Sequence, residues 1–120
     1  MDAEILSLLR TAAAALDDKK AFHLLALDVS ARTSIAEAFL FASVGSQRQA
    51  QAAVDEVDRA LVAAGRRALG VEGYTQGSWI LMDYGDFLLH VFLEETREYY
   101  GIERLWGDAP DITAAVAPSR

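Results

Sequence analysis

The sequence predicts an α/β fold, α+β-like in the grouping of its strands: a single mixed β-sheet backed by helices. Three observations carry this. The run GSWILMDYGDFLLHVF, from Gly77 to Phe92, reads as two apolar strands around a tight turn at Tyr84-Gly85. Two shorter apolar runs, Ala21–Ser30 and Phe39–Val44, have the length and continuity of buried strands. Between those runs and the hairpin lies a long amphipathic helix, the kind of connection that joins parallel strands. The 120 residues suit one domain, residues 1–108, with a flexible tail over 109–120.

Each element follows from local pattern. In the first helix, Glu4 to Leu16, Ile5, Leu8, Leu9, Ala12, Ala13 and Leu16 recur at three- and four-residue spacing. Alanine-rich composition raises its propensity, and Asp17-Asp18 breaks the pattern. The first strand follows, then a connection over residues 31–37, then the second strand, which stops at Gly45. Ser46 and Gln49 form an S-x-x-Q capping box that opens the long helix, Gln47 to about Leu69. Its apolar stripe is Ala50, Ala53, Val54, Val57, Ala60, Leu61 and Ala64. Arg66 and Arg67 suit its C-terminus, with Gly70 as the stop. Residues 71–76 connect to the hairpin. Glu95–Tyr100 is a short helix halted by Gly101, and Ile102–Trp106 continues as an apolar-bearing segment. The long helix is expected to bring the second and third strands parallel, with the hairpin's return strand antiparallel to the third.

Composition narrows the function classes. Net charge is -7, which argues against direct nucleic-acid binding, because phosphate binding is driven by Lys and Arg. An acidic surface favours a neutral or basic partner and also keeps a protein soluble. The absence of cysteine excludes disulfides and thiolate metal sites. No apolar stretch approaches the roughly 20 residues of a membrane span. No basic segment followed by an apolar run marks a signal peptide, so a cytoplasmic protein is expected.

The hairpin carries apolar side chains on both faces. With a two-residue turn at Tyr84-Gly85, Asp83 faces Asp86, Leu81 faces Leu88 and Trp79 faces His90. These share one face with Phe92, while Ile80, Met82, Phe87, Leu89 and Val91 share the other. The second set is wholly apolar and belongs against the helices. The first mixes aromatic, aliphatic and acidic side chains. It fits either a protein-binding patch or a second core layer under the terminal helices.

Catalytic patterns are weak. Asp83 and Asp86 flank an ordinary turn, and Asp28 ends the first strand, where it can cap the following turn. His23 and His90 lie in no H-E-x-x-H arrangement, and no nucleophile elbow, phosphate loop or dinucleotide fingerprint is present. No metal or cofactor is expected.

The residues also resemble a known family. GSWILMDYGDFLLHVF followed by EETREYYGIERLWGDAP, and ALDVSARTSIAEAFLFASVGSQRQ before them, are similar to the Iojap family, also called the ribosomal silencing factor family. The resemblance covers about residues 5–110. It rests on Trp79, the Asp83-Tyr84-Gly85-Asp86 turn, His90, Tyr100, Glu103, Leu105, Trp106 and Asp108. It implies a mixed sheet related to the nucleotidyltransferase fold but without its catalysis. That fold relationship also motivates the alternative, a small nucleotidyltransferase-like enzyme using Asp28, Asp83 or Asp86 with magnesium, with Gly45-Ser46 as the only candidate phosphate clamp. It further implies binding to the large ribosomal subunit at its fourteenth ribosomal protein, obstruction of small-subunit joining, and a homodimer when free. The partner surface it supports is Trp79, Leu81, Asp83, Tyr84, Asp86 and His90, while Tyr100, Leu105 and Trp106 are expected either to pack the last segment on the domain or to help form the dimer, packing being favoured. The chain departs from the family pattern at Glu37-Ala38, where Asp-Tyr is common, and at Val44, where glycine is common.

Overall fold

A computed structural model, which describes residues 1–119, orders the elements as α1 (Ala3–Asp18), β1 (Phe22–Asp28), β2 (Ala38–Val44), α2 (Gln47–Ala63), β3 (Gly70–Glu72), β4 (Trp79–Asp83), β5 (Phe87–Leu93), α3 (Glu94–Tyr100) and α4 (Thr113–Val116). A 3-10 turn spans Ile102–Trp106. The five strands form one mixed sheet in the order β1-β2-β5-β4-β3.

Helix ends follow their capping chemistry. Asp2 caps α1, its carboxylate accepting from Glu4 N at 2.7 Å. Ser46 Oγ accepts from Gln49 N at 3.0 Å, as the capping box requires. The return arm lands one residue early, because Gln49 Oε1 accepts from Gly45 N at 2.7 Å rather than from Ser46 N. α2 ends at Ala63, short of the Leu69 expected. Gly65 takes φ +88°, Gly65 N donates to Val62 O and Arg66 N donates to Leu61 O. That is a Schellman stop, and it leaves the following residues free to form β3, an edge strand the sequence did not reveal.

The parallel pair is β2 with β5, not β2 with β4. The crossover from β2 through α2 leads to the edge strand β3 and passes over two strand positions, which β4 and the hairpin's return strand β5 then fill, with β5 at the centre of the sheet. The turn is also displaced. Tyr84 N donates to Phe87 O, which makes Gly85-Asp86 the two central residues, with Gly85 at φ +82°. Glycine with positive φ at the first central position matches the hairpin's twist. Register therefore moves by two residues, to Trp79 opposite Phe92, Leu81 opposite His90 and Asp83 opposite Leu88. An even shift keeps the paired strand residues, 79–83 and 88–92, on their expected faces.

Both faces of the sheet are covered. α1 and α2 pack on Leu40, Ile80, Met82, Tyr84, Phe87, Leu89 and Val91. Ala38 and Val44, two of the residues that depart from the family pattern, are fully buried on this face too. The opposite face gathers Leu27, Val29, Phe39, Phe41 and Phe92 into a smaller core, closed by Ala109 with Ile102 and Trp106 partly buried against it. Burial of each large side chain here contributes roughly 1.5–3 kcal/mol.

The segment expected as a loose tail is held. Asp28 N donates to Pro110 O, Ile112 N to Ala26 O, and Ala26 N to Thr113 Oγ1. These contacts satisfy the outer edge of β1, and Val116 is buried against the helical core. Arg120 lies outside the described residues.

Candidate protein interface

β4 and β5 present Trp79, Leu81, Asp83 and Leu88 half-buried on the face opposite the long helices. Trp79 is seated from below and from the side. Its ring centroid lies 4.9 Å from Phe92 and 5.2 Å from Tyr100, and its indole N–H donates to His90 Nδ1 at 3.2 Å. Gly73 allows this placement. It takes φ +81°, and a Cβ there would stand 2.1 Å from the Trp79 carbonyl oxygen. Leu81 lies between His90 on β5 and Glu72 on β3. Glu72, Gly73, Trp79 and Leu81 line a shallow depression.

The six residues expected at this surface divide. Trp79, Leu81 and Asp83 share the open face. Asp83 Oδ1 also accepts from Gly85 N at 2.8 Å, which ties it to the turn. Asp86 sits at the turn's edge, where its carboxylate accepts from Arg66 Nη2 at 2.5 Å. Its charge is therefore partly answered within the chain. Tyr84 is a correction. It points into the helical core, 2% exposed, stacked 5.1 Å from Phe87, with its hydroxyl on Asp58 Oδ1 at 3.3 Å. Burial pushes its phenol pKa up, so it stays a neutral donor.

His90 is a second correction in part. It is 5% exposed, stacked on Phe41 at 4.9 Å with Phe39 edge-on at 5.7 Å. Its central strand makes it a floor for Trp79 rather than part of the rim. Burial drives its pKa down to about 4, so the ring is neutral near pH 7.

Expectation also missed exposed apolar groups beside the patch. Tyr99 is 82% exposed, Tyr100 58% and Leu105 70%, and the two tyrosine rings meet edge to face at 5.0 Å. Of the three residues expected to pack the last segment or form the dimer, Trp106 packs 4.9 Å from Phe39 with the Arg32 guanidinium 5.5 Å from its ring centroid, Tyr100 lays one side of its ring against Trp79, and Leu105 stays exposed. The adjacent aromatic pair at the end of a seven-residue helix was the available signal: α3 is too short to bury both.

The carboxylates of the enzymatic alternative do not converge. Asp28 on β1 is three strand positions from Asp83 on β4, roughly 14 Å at normal strand spacing. Asp28 instead accepts from Ser30 Oγ at 2.6 Å, a bond that holds its pKa below the usual carboxylate range. Among the described residues, no cluster of three His, Asp or Glu side chains is placed to hold a metal ion.

These features define a small mixed α/β domain whose sheet face opposite α1 and α2 is aromatic, acidic and partly open. The same architecture occurs in a crystal structure of a Chromobacterium violaceum protein. It is 39% identical with a TM-score of 0.82, and the match covers 89% of this chain and 88% of that one. A second, from Bacillus halodurans, is 36% identical with a TM-score of 0.76, covering 88% and 95%. The chain belongs to the ribosomal silencing factor family: the family model, described as ribosomal silencing factor during starvation, matches residues 2–120. Ribosomal silencing factor RsfS of Bacillus subtilis is 41% identical over 104 residues, 87% of this chain and 88% of that protein. The chloroplastic Iojap protein of Zea mays is 43% identical over 35 residues, 29% of this chain and 15% of that protein.

Proposed function

We propose that the chain binds the large ribosomal subunit through its fourteenth ribosomal protein and blocks joining of the small subunit, repressing translation. The mechanism is steric: the domain occupies a surface that the small subunit needs, with no covalent step and no cofactor. Family membership supports the ribosomal target. The observation that carries the surface is Trp79, part-exposed on a floor of His90 and Phe92, with Leu81 and Asp83 beside it. A preformed aromatic anchor next to aliphatic area and rim charge is the usual anatomy of a protein hot spot. Asp83 and Asp86 face basic side chains of the partner, and the chain's net charge of -7 steers the encounter. When free, the chain pairs as a homodimer in the cytoplasm.

Co-sedimentation with purified large subunits tests the surface. Trp79→Ala and Asp83→Lys should each lose binding while their circular dichroism matches wild type. Truncating a central anchor costs about 2 kcal/mol or more, roughly thirtyfold in affinity. Full binding by both variants contradicts the surface.

A further inference from the structure

The Trp79–His90 contact decides which nitrogen of His90 carries its proton. An indole N–H only donates, so the imidazole nitrogen that receives it, Nδ1, is unprotonated. The ring is neutral, as its burial requires, and the proton therefore sits on Nε2. Nothing in the described chain accepts it: the indole bond is the one hydrogen bond His90 makes there. Yet no buried side-chain nitrogen or oxygen is left without a partner among the described residues. Nε2 must therefore reach solvent, although the residue as a whole is 5% exposed. One N–H thus looks outward from a ring otherwise enclosed by Phe39, Phe41, Phe92 and Trp79.

We propose that His90 Nε2–H is the specificity donor of this face, reserved for a main-chain carbonyl oxygen of the docking protein. The proposal rests on the assignment of the Trp79 face as the partner surface. A protein that covers Trp79 and Leu81 also strips water from this N–H. A buried donor left without an acceptor is costly, so a surface offering only apolar atoms at that point is rejected. The acceptor is a neutral carbonyl because the surroundings are aromatic and aliphatic, and Asp83 on the same face disfavours an incoming carboxylate. Trp79 thus acts twice, as the anchor and as the lock on the tautomer.

Two substitutions separate the nitrogens. In His90→Asn the amide reaches the Nδ1 position and can accept from Trp79, but it is too short to replace Nε2–H. In His90→Gln the amide reaches the Nε2 position and restores the donor. Binding to purified large subunits should fall about tenfold or more in His90→Asn and stay within about threefold of wild type in His90→Gln. A purely structural histidine gives the other pattern, with affinity following thermal stability. Wild-type affinity in His90→Asn, while Trp79→Ala loses binding, overturns the donor and leaves the surface intact. Wild-type affinity in Trp79→Ala removes the surface itself. Should His90→Asn fail to fold, two-bond ¹H–¹⁵N spectra of the free wild-type chain still decide: an Nε2–H tautomer near pH 7 supports the proposal, and an Nδ1–H tautomer overturns it.

Discussion

Arg97 grips Glu103 through two parallel hydrogen bonds, Nε to Oε1 at 2.7 Å and Nη2 to Oε2 at 3.1 Å. The same guanidinium donates through Nη1 to His23 O at 2.7 Å and to Ser43 Oγ at 2.8 Å. Ser43 Oγ in turn donates to Glu94 Oε1, and this bond chiefly holds the Glu94 pKa below its ordinary range. One 7%-exposed arginine therefore joins β1, β2, α3 and the 3-10 turn. It also fixes the bulge in β1, where His23 takes φ +51°. Tyr100 belongs to the helix so held, which sets its ring against Trp79.

Replacing Arg97 by Met should cost about 2 kcal/mol in urea unfolding, because it removes a buried guanidinium that makes four hydrogen bonds and leaves a part-exposed Glu103 unpaired. Lysine should rescue little, because a single ammonium cannot supply the planar fork. A loss under about 1 kcal/mol in Arg97→Met would show that the clasp contributes little order.

Gly73→Ala should destabilise the chain by about 2 kcal/mol or more, because the new Cβ meets the Trp79 carbonyl in a backbone region that L-residues avoid. The start of β4 must shift, so large-subunit binding should weaken with it. Chemical denaturation and co-sedimentation on the same sample check both effects.

Tyr84→Phe separates core from surface. The hydroxyl bond to Asp58 contributes about 1 kcal/mol, so unfolding free energy should drop by that order. Large-subunit affinity should stay unchanged, because Tyr84 lies on the helical side of the sheet. Lost binding without unfolding would place Tyr84 in the interface after all.

His90 makes stability depend on pH. Its pKa is pushed down to about 4 in the fold from an ordinary 6.5, so between those values the unfolded chain binds the extra proton. Stability from this group is complete above the unfolded value and is lost as pH falls toward 4. Between about pH 7 and about pH 5 the loss should be about 2 kcal/mol. His90→Asn should flatten that slope. An equal slope in both proteins would assign the acid sensitivity to other groups.

Most elements were legible because their signals are local. The α1 stripe, the Ser46 cap and the apolar runs of β1, β2, β4 and β5 each state their own period. Two features were hidden for different reasons. β3 is three exposed residues, Gly70-Val71-Glu72, whose pairing depends on where α2 stops. Gly65, at φ +88°, carries the stop that the sequence reading placed at Gly70. The parallel pairing of β2 with β5 is a tertiary outcome, since either strand of the hairpin could have taken the central place.

At the surface, face parity survived a misplaced turn because the register error was even. Tyr84 was misassigned because the turn's first residue was taken as solvent-facing, whereas in the structure it follows directly on β4 and is buried in the helical core. His90 looked like a surface group from alternation alone. Only the aromatic cover from Phe39, Phe41 and Phe92 shows how little of it is reachable.

The most direct measurement is subunit joining, followed on a sucrose gradient with purified small and large subunits and increasing amounts of the chain. Wild type should shift joined ribosomes into separate subunits and travel with the large one, while Asp83→Lys leaves joining untouched. Undiminished joining at saturating wild-type protein, whether or not the chain travels with the large subunit, contradicts steric obstruction by this surface.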